Sequence, residues 1–162
     1  MGKRLIFTFA LFIICMYSKT RHDYFLFEPV IVMPEYNFMN KHLQNYILCA
    51  SDSSGVDPYL IDAVISVESG GQIYAVSPTN VRGPMQVTKK TATIYGLDPY
   101  DIYENILAGS LYLRDIIEEF DDTSLALVAY NSGPAYVKNN LDLITFRYSE
   151  KVNRVYETNK EL

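Results

Sequence analysis

The stretch Asp57-Pro-Tyr-Leu-Ile-Asp-Ala-Val-Ile-Ser-Val-Glu-Ser-Gly-Gly71 reads as one short helix with both ends marked. Asp57 suits the N-cap, Pro58 fits the first turn, and Gly70 and Gly71 supply a left-handed stop. Ile61, Val64 and Ile65 fall on one face at helical spacing, and Asp62 and Ser66 are expected to point the other way. The next position on the apolar face is Glu68. A carboxylate there costs free energy, because desolvation disfavours its charged form. Either a structural ion pair satisfies it or chemistry uses it.

Around this helix the composition is that of an ordinary globular chain. The 162 residues are 49% hydrophobic and 20% charged, enough for one domain with a real core. A net charge of -5 argues against nucleic acid, whose binding rests on Lys and Arg neutralising phosphates. The 14 tyrosines combine flat apolar faces with polar tips. Most are expected in core and rim packing, some along a sugar-binding groove.

Residues 1–18 have the pattern of a targeting segment. Lys3 and Arg4 precede an apolar run from Leu5 to Tyr17, too short for a comfortable membrane span and suited to a secretory signal. Its removal lowers the net charge by two, from -5 to -7. An uncleaved membrane anchor stays open, since no A-x-A pattern precedes a cut. Cys15 invites lipidation, but Ile14 is not the small residue such a signal wants. Processing would leave Cys49 as the one cysteine, so no intramolecular disulfide is expected. With two histidines besides, no metal site of ordinary spacing appears, and no cofactor is expected.

Residues 19–36 lack clean periodicity and read as an arm or linker, leaving 37–162 as the folded domain. A first helix is expected from Asn37 to Ala50, with His42 a surface or satisfied histidine on it. Ser51–Val56 reads as a turn. Gln72–Val87 reads as a loop with room for a short β-hairpin, and a loop of this length in a compact domain usually carries function. Short helical signals cover Thr88–Tyr95. The longest helix is expected over Asn105–Phe120, with Gly109 admitting another helix at close range. Leu125–Tyr130 is apolar nearly all round and therefore central, stopped by Asn131–Pro134. A short helix from Pro134 and a last one over Phe146–Tyr156 complete a mainly α chain of lysozyme-like α+β type, with at most a small β-hairpin after the Glu68 helix.

Three segments with unusual local content, Glu68-Ser69-Gly70, Gly83-Pro-Met-Gln-Val87 and Ala129-Tyr-Asn-Ser-Gly-Pro134, stand in an order and spacing that resemble the soluble (SLT) family of lysozyme-like lytic transglycosylases. The likeness covers roughly Val56–Val137 and includes Ala75–Pro78, Asn105-Ile106 and Tyr112-Leu113. It implies cleavage of the β-1,4 bond between N-acetylmuramic acid and N-acetylglucosamine in peptidoglycan, with a 1,6-anhydro product. One carboxylic acid then does what two do in most glycosidases. Glu68 would act first as general acid and then as base, which asks for a raised pKa.

Carried over residue by residue, the resemblance gives Ser77, Met85 and Gln86 to the substrate groove. It has Tyr130 hold the Glu68 carboxyl, and Asn131 touch substrate or fix the loop. Tyr148 stands in for a sugar-facing tyrosine. The chain departs from the family at Pro84, Lys89, Gly71, Ser132 and Tyr136, which bears on substrate-site detail. The expected partner is the peptidoglycan strand, with export to the periplasm or cell envelope and use in secretion, conjugation or phage assembly. A membrane is expected only through an uncleaved N-terminus. The alternatives are a hydrolytic muramidase of the same fold, for which no second carboxylate can be placed, and a non-catalytic peptidoglycan-binding module.

Overall fold

The computed structural model describes residues 36–161; the expected leader 1–18 and, apart from Tyr36, the expected arm 19–36 lie outside them. A 3-10 turn, Lys41–Leu43, leads into α1, Gln44–Ser54. The helix expected from Asn37 therefore starts later. Its first residues are drawn elsewhere: the Met39 and Asn40 N–H groups donate to Asp62 at 2.8 and 3.2 Å. Leu43, Ile47, Ala50 and Ser54 are buried at helical spacing, which carries α1 past Ala50 to Gly55, φ +78°.

The stretch that opened the sequence reading is α2, Pro58–Ser69. Asp57 caps it by accepting from the Tyr59 N–H at 2.8 Å, and Gly70 ends it at φ +61°. All six residues from Leu60 to Ile65 are buried. Asp62 is thus inside the protein, not on an outer face as its spacing suggested.

Beyond α2 the chain forms a long loop before α3, Lys89–Ile94, which Thr88 caps. Strand-like pairing among the described residues is limited to isolated antiparallel bridges, Val76 with Arg82 and Arg82 with Val87. What fixes the loop is Asn105 of α4, Ile102–Phe120. This fully buried amide donates to the carbonyls of Arg82 (2.8 Å) and Pro99 (3.1 Å) and accepts from the Met85 N–H (3.1 Å). Helix α4 begins three residues before the expected Asn105, where Asp101 caps it. Gly109 on α4 faces Met85: a Cβ there would lie 2.7 Å from the Met85 sulfur. The close neighbour is a loop side chain, correcting the expected second helix.

Helices α5, Thr123–Ser132, and α6, Pro134–Asn139, follow, with Gly133 at φ +89° between them. A 3-10 turn, Leu141–Leu143, leads to α7, Arg147–Glu161. That last helix outruns its expected end at Tyr156 because buried Asn159 anchors it, donating to Asp62 at 2.9 Å. Helix α1 packs on α2 and α4, α2 on α7, and α5 on α4, α6 and α7. Ala126–Ala129 of α5 are buried together, the central position expected of a helix apolar all round. Among the described residues no helix is long and apolar enough to cross a membrane.

Candidate active site

Glu68 occupies the last turn of α2, just past the buried run, and is itself half-buried. Helix α7 packs on α2 and brings Tyr148 to it, the Tyr148 hydroxyl donating to Glu68 Oε1 at 2.5 Å. Burial pushes the Glu68 carboxyl above its ordinary value of 4.5, and the Tyr148 hydrogen bond acts in the opposite sense by stabilising the anion. Burial, and then the Glu68 charge, push the Tyr148 phenol strongly upward, so it remains a donor. No neighbouring acid contributes to the Glu68 shift.

Tyr130 was expected to hold Glu68, but its hydroxyl donates to the Met85 carbonyl at 2.9 Å. A carbonyl inside the fold needs a donor, and no backbone N–H among the described residues supplies one here. Tyr130 still feels the carboxylate: burial first and the Glu68 charge second raise its phenol well above the ordinary range. Its ring stands 5.6 Å from that of Tyr112. Tyr148 takes the carboxyl-holding role instead.

Met85 is fully buried, its sulfur accepting from the Ser110 hydroxyl at 3.7 Å. The seat left by Gly109 draws it into the core, so its side chain does not line a groove. Gln86 adopts φ +47°, and its Nε2 donates to the carbonyls of Gly83 (2.9 Å) and Ala75 (3.4 Å). Among the described residues the hydrogen bonds of the Gln86 side chain all run through Nε2, leaving its amide oxygen without a partner there. Ser77 shares a hydrogen bond with Thr79 at 2.9 Å and accepts from the Val81 N–H at 3.1 Å, closing a turn. Asn131 is exposed, with its amide 3.4 Å from the Ser132 hydroxyl. None of these three hydrogen-bonds to Glu68.

Two contributors escaped the sequence reading. Asp62 organises the far end of the α2–α7 contact, and Asn105 holds the loop. For Asp62 a signal existed: a helix apolar on every side from Leu60 to Ile65 has no outer face for a carboxylate. Asn105 carried none beyond its place in the likeness.

The helical packing, the absence of strands among the described residues and the half-buried Glu68 held by Tyr148 define a mainly α, lysozyme-like domain. The family model for the transglycosylase SLT domain matches residues 45–152, and the chain belongs to that family. The membrane-bound lytic murein transglycosylase F of Nitrosospira multiformis is 39% identical over 105 residues, covering 60% of this chain and 22% of that protein. A transglycosylase of Enterobacteria phage PRD1 is 34% identical over 85 residues, covering 52% of this chain and 32% of that protein. The chain thus spans a fifth to a third of these relatives. In fold it is similar to an inactive mutant of the lytic transglycosylase Slt from Pseudomonas aeruginosa, with TM-score 0.55, 22% identity, and 69% of this chain and 21% of that one covered.

Proposed function

We propose that this chain cleaves the MurNAc-β-1,4-GlcNAc bond of peptidoglycan as a lytic transglycosylase, with residues 37–162 as the catalytic domain. The observation that carries this reading is one half-buried carboxyl with a raised pKa, touched by a tyrosine and by no second acid. Protonated Glu68 gives its proton to the glycosidic oxygen as the C1–O4 bond breaks and the electron pair leaves with that oxygen. The C6 hydroxyl of the muramic sugar then attacks C1, and its proton passes to the Glu68 carboxylate. The acid is restored, no water enters the product, and a 1,6-anhydro ring forms. Tyr148 stabilises the carboxylate between the two proton transfers.

Around that centre, the unpartnered Gln86 oxygen accepts from sugar hydroxyls or acetamido N–H groups. Asn131 and the Ser77 turn border the strand, and the Tyr130 ring walls the site. The leader at 1–18 exports the domain to the envelope, where peptidoglycan lies. The likeness to a phage transglycosylase and to membrane-bound relatives fits local wall opening. Turnover of purified sacculi by Glu68→Gln tests the assignment. Soluble muropeptide release falls about 10²–10⁴-fold, the scale of general acid–base catalysis. Release at the wild-type rate rejects Glu68 as the acid.

A further inference from the structure

The loop between α2 and α3 carries a second feature that the Glu68 chemistry does not use. A pocket of about 130 Å³ opens between Tyr74, Val76 and Arg82 of the loop and Pro99 and Tyr100 ahead of α4. Tyr74 and Tyr100 present their rings to solvent, 81% and 58% exposed, and the Arg82 guanidinium sits 5.1 Å over the Tyr100 ring. Arg82 Nη2 donates to Asn80 Oδ1, and its buried Nε has no partner among the described residues. Among the described residues Arg82 makes no salt bridge, although the chain as a whole is acidic at -5.

The acids nearest in sequence to Tyr100 are already engaged. Asp98 accepts from the Tyr100 N–H at 2.9 Å, Asp101 from the Glu104 N–H at 2.9 Å, and Glu104 from the Asp98 N–H at 2.6 Å. Asn105 fixes both walls, bonding the Arg82 and Pro99 carbonyls at 2.8 and 3.1 Å. A guanidinium positioned against an aromatic face, with no acid paired to it among the described residues, suits a planar carboxylate. The two exposed rings suit the apolar stem that carries it.

We propose that this pocket is a subsite for a carboxylate of the acidic peptides that substitute the glycan strand, bound by Arg82 and flanked by Tyr74 and Tyr100. The proposal rests on the wall-cleavage reading for its substrate but not on Glu68. Binding is read by titrating the full, isotope-labelled chain with a peptidoglycan stem tetrapeptide, and with the same peptide fully amidated. The free-carboxylate peptide shifts the Tyr74, Tyr100 and Arg82 Nε signals. Arg82→Gln weakens its binding about tenfold, and Arg82→Lys recovers part of the loss. Equal binding of the amidated peptide, full binding by Arg82→Gln, shifts confined elsewhere, or no binding at millimolar peptide each overturns the subsite.

A second arm compares peptide-bearing strands with amidase-stripped ones. The wild-type preference for the former, as a ratio of kcat/KM, falls about tenfold in Arg82→Gln; an unchanged ratio contradicts the proposal. If the wild type cleaves neither strand, the transglycosylase reading fails, and the titration still decides the subsite.

Discussion

Asp62 and Glu68 are carboxylates six residues apart on one helix, and both face α7, yet their surroundings are opposite in kind. Asp62 is fully buried and accepts four hydrogen bonds, from the Met39 and Asn40 backbones and from the Asn40 and Asn159 side chains, at 2.6 to 3.2 Å. Glu68 is half-buried and, among the described residues, receives one, from Tyr148. Saturating a buried carboxylate with donors turns it into a structural hub that ties the N-terminal segment and α7 to α2. Leaving one nearly unsatisfied keeps its proton available. The difference between the two is therefore one of donor supply, and α7 serves both acids, through Asn159 and through Tyr148.

The largest effects separate the pair by readout. Glu68→Gln removes activity by about 10²–10⁴-fold while keeping a cooperative fold. Asp62→Ala does the reverse in kind: stranding its buried donors costs roughly 3 kcal/mol, a drop in Tm of about 10 °C by thermal melts. If Asp62→Ala melted like the wild type, its role as a hub would be wrong.

A smaller effect sharpens the Glu68 side. Tyr148→Phe deletes the interaction that favours the anion, so the Glu68 pKa rises further. Since the protonated acid is the active form, the alkaline fall in kcat moves to higher pH, and kcat at its optimum drops about tenfold with the loss of anion stabilisation between steps. A shift toward lower pH in the profile would contradict the hydrogen bond's sense.

The smallest effect is on stability. Because the folded-state pKa of Glu68 is raised, its contribution is fully present below the unfolded value, near 4.5, and is lost as pH rises through the folded pKa. Glu68→Gln escapes that loss. It should therefore melt above the wild type at neutral pH, with the gap closing toward pH 4. A gap that widened on acidification would mean that ionised Glu68 is the stabilised form.

Much of this was legible in the chain. The cap Asp57 and the glycine stops at 70 and 133 are local devices, so the helix ends beside them were readable from neighbours in sequence, whereas Asp101 was read as part of a turn and the start of α4 was missed. Glu68 stood out because a periodic apolar face cannot hide an acid. Long-range hydrogen bonds leave no such trace. The late start of α1 and the long run of α7 both come from Asp62 drawing Asn40 and Asn159 to it, partners 22 and 97 residues away. The same holds at the site. Which tyrosine reaches Glu68 depends on how α5 and α7 pack, so the resemblance pointed to Tyr130 while the geometry places Tyr148 there. Met85 moved from groove to core because Gly109, read as a helix–helix contact, turned out to be its seat.

The claim that a single carboxylic acid does this chemistry is tested most directly by the mass of the muropeptides that the wild-type chain releases from purified sacculi. The expected products are one water lighter than hydrolysed fragments, as a 1,6-anhydro end requires, with about 10²–10⁴-fold less released by Glu68→Gln. Products carrying the added water would show a hydrolase with a second catalytic group, and the one-acid account would be wrong.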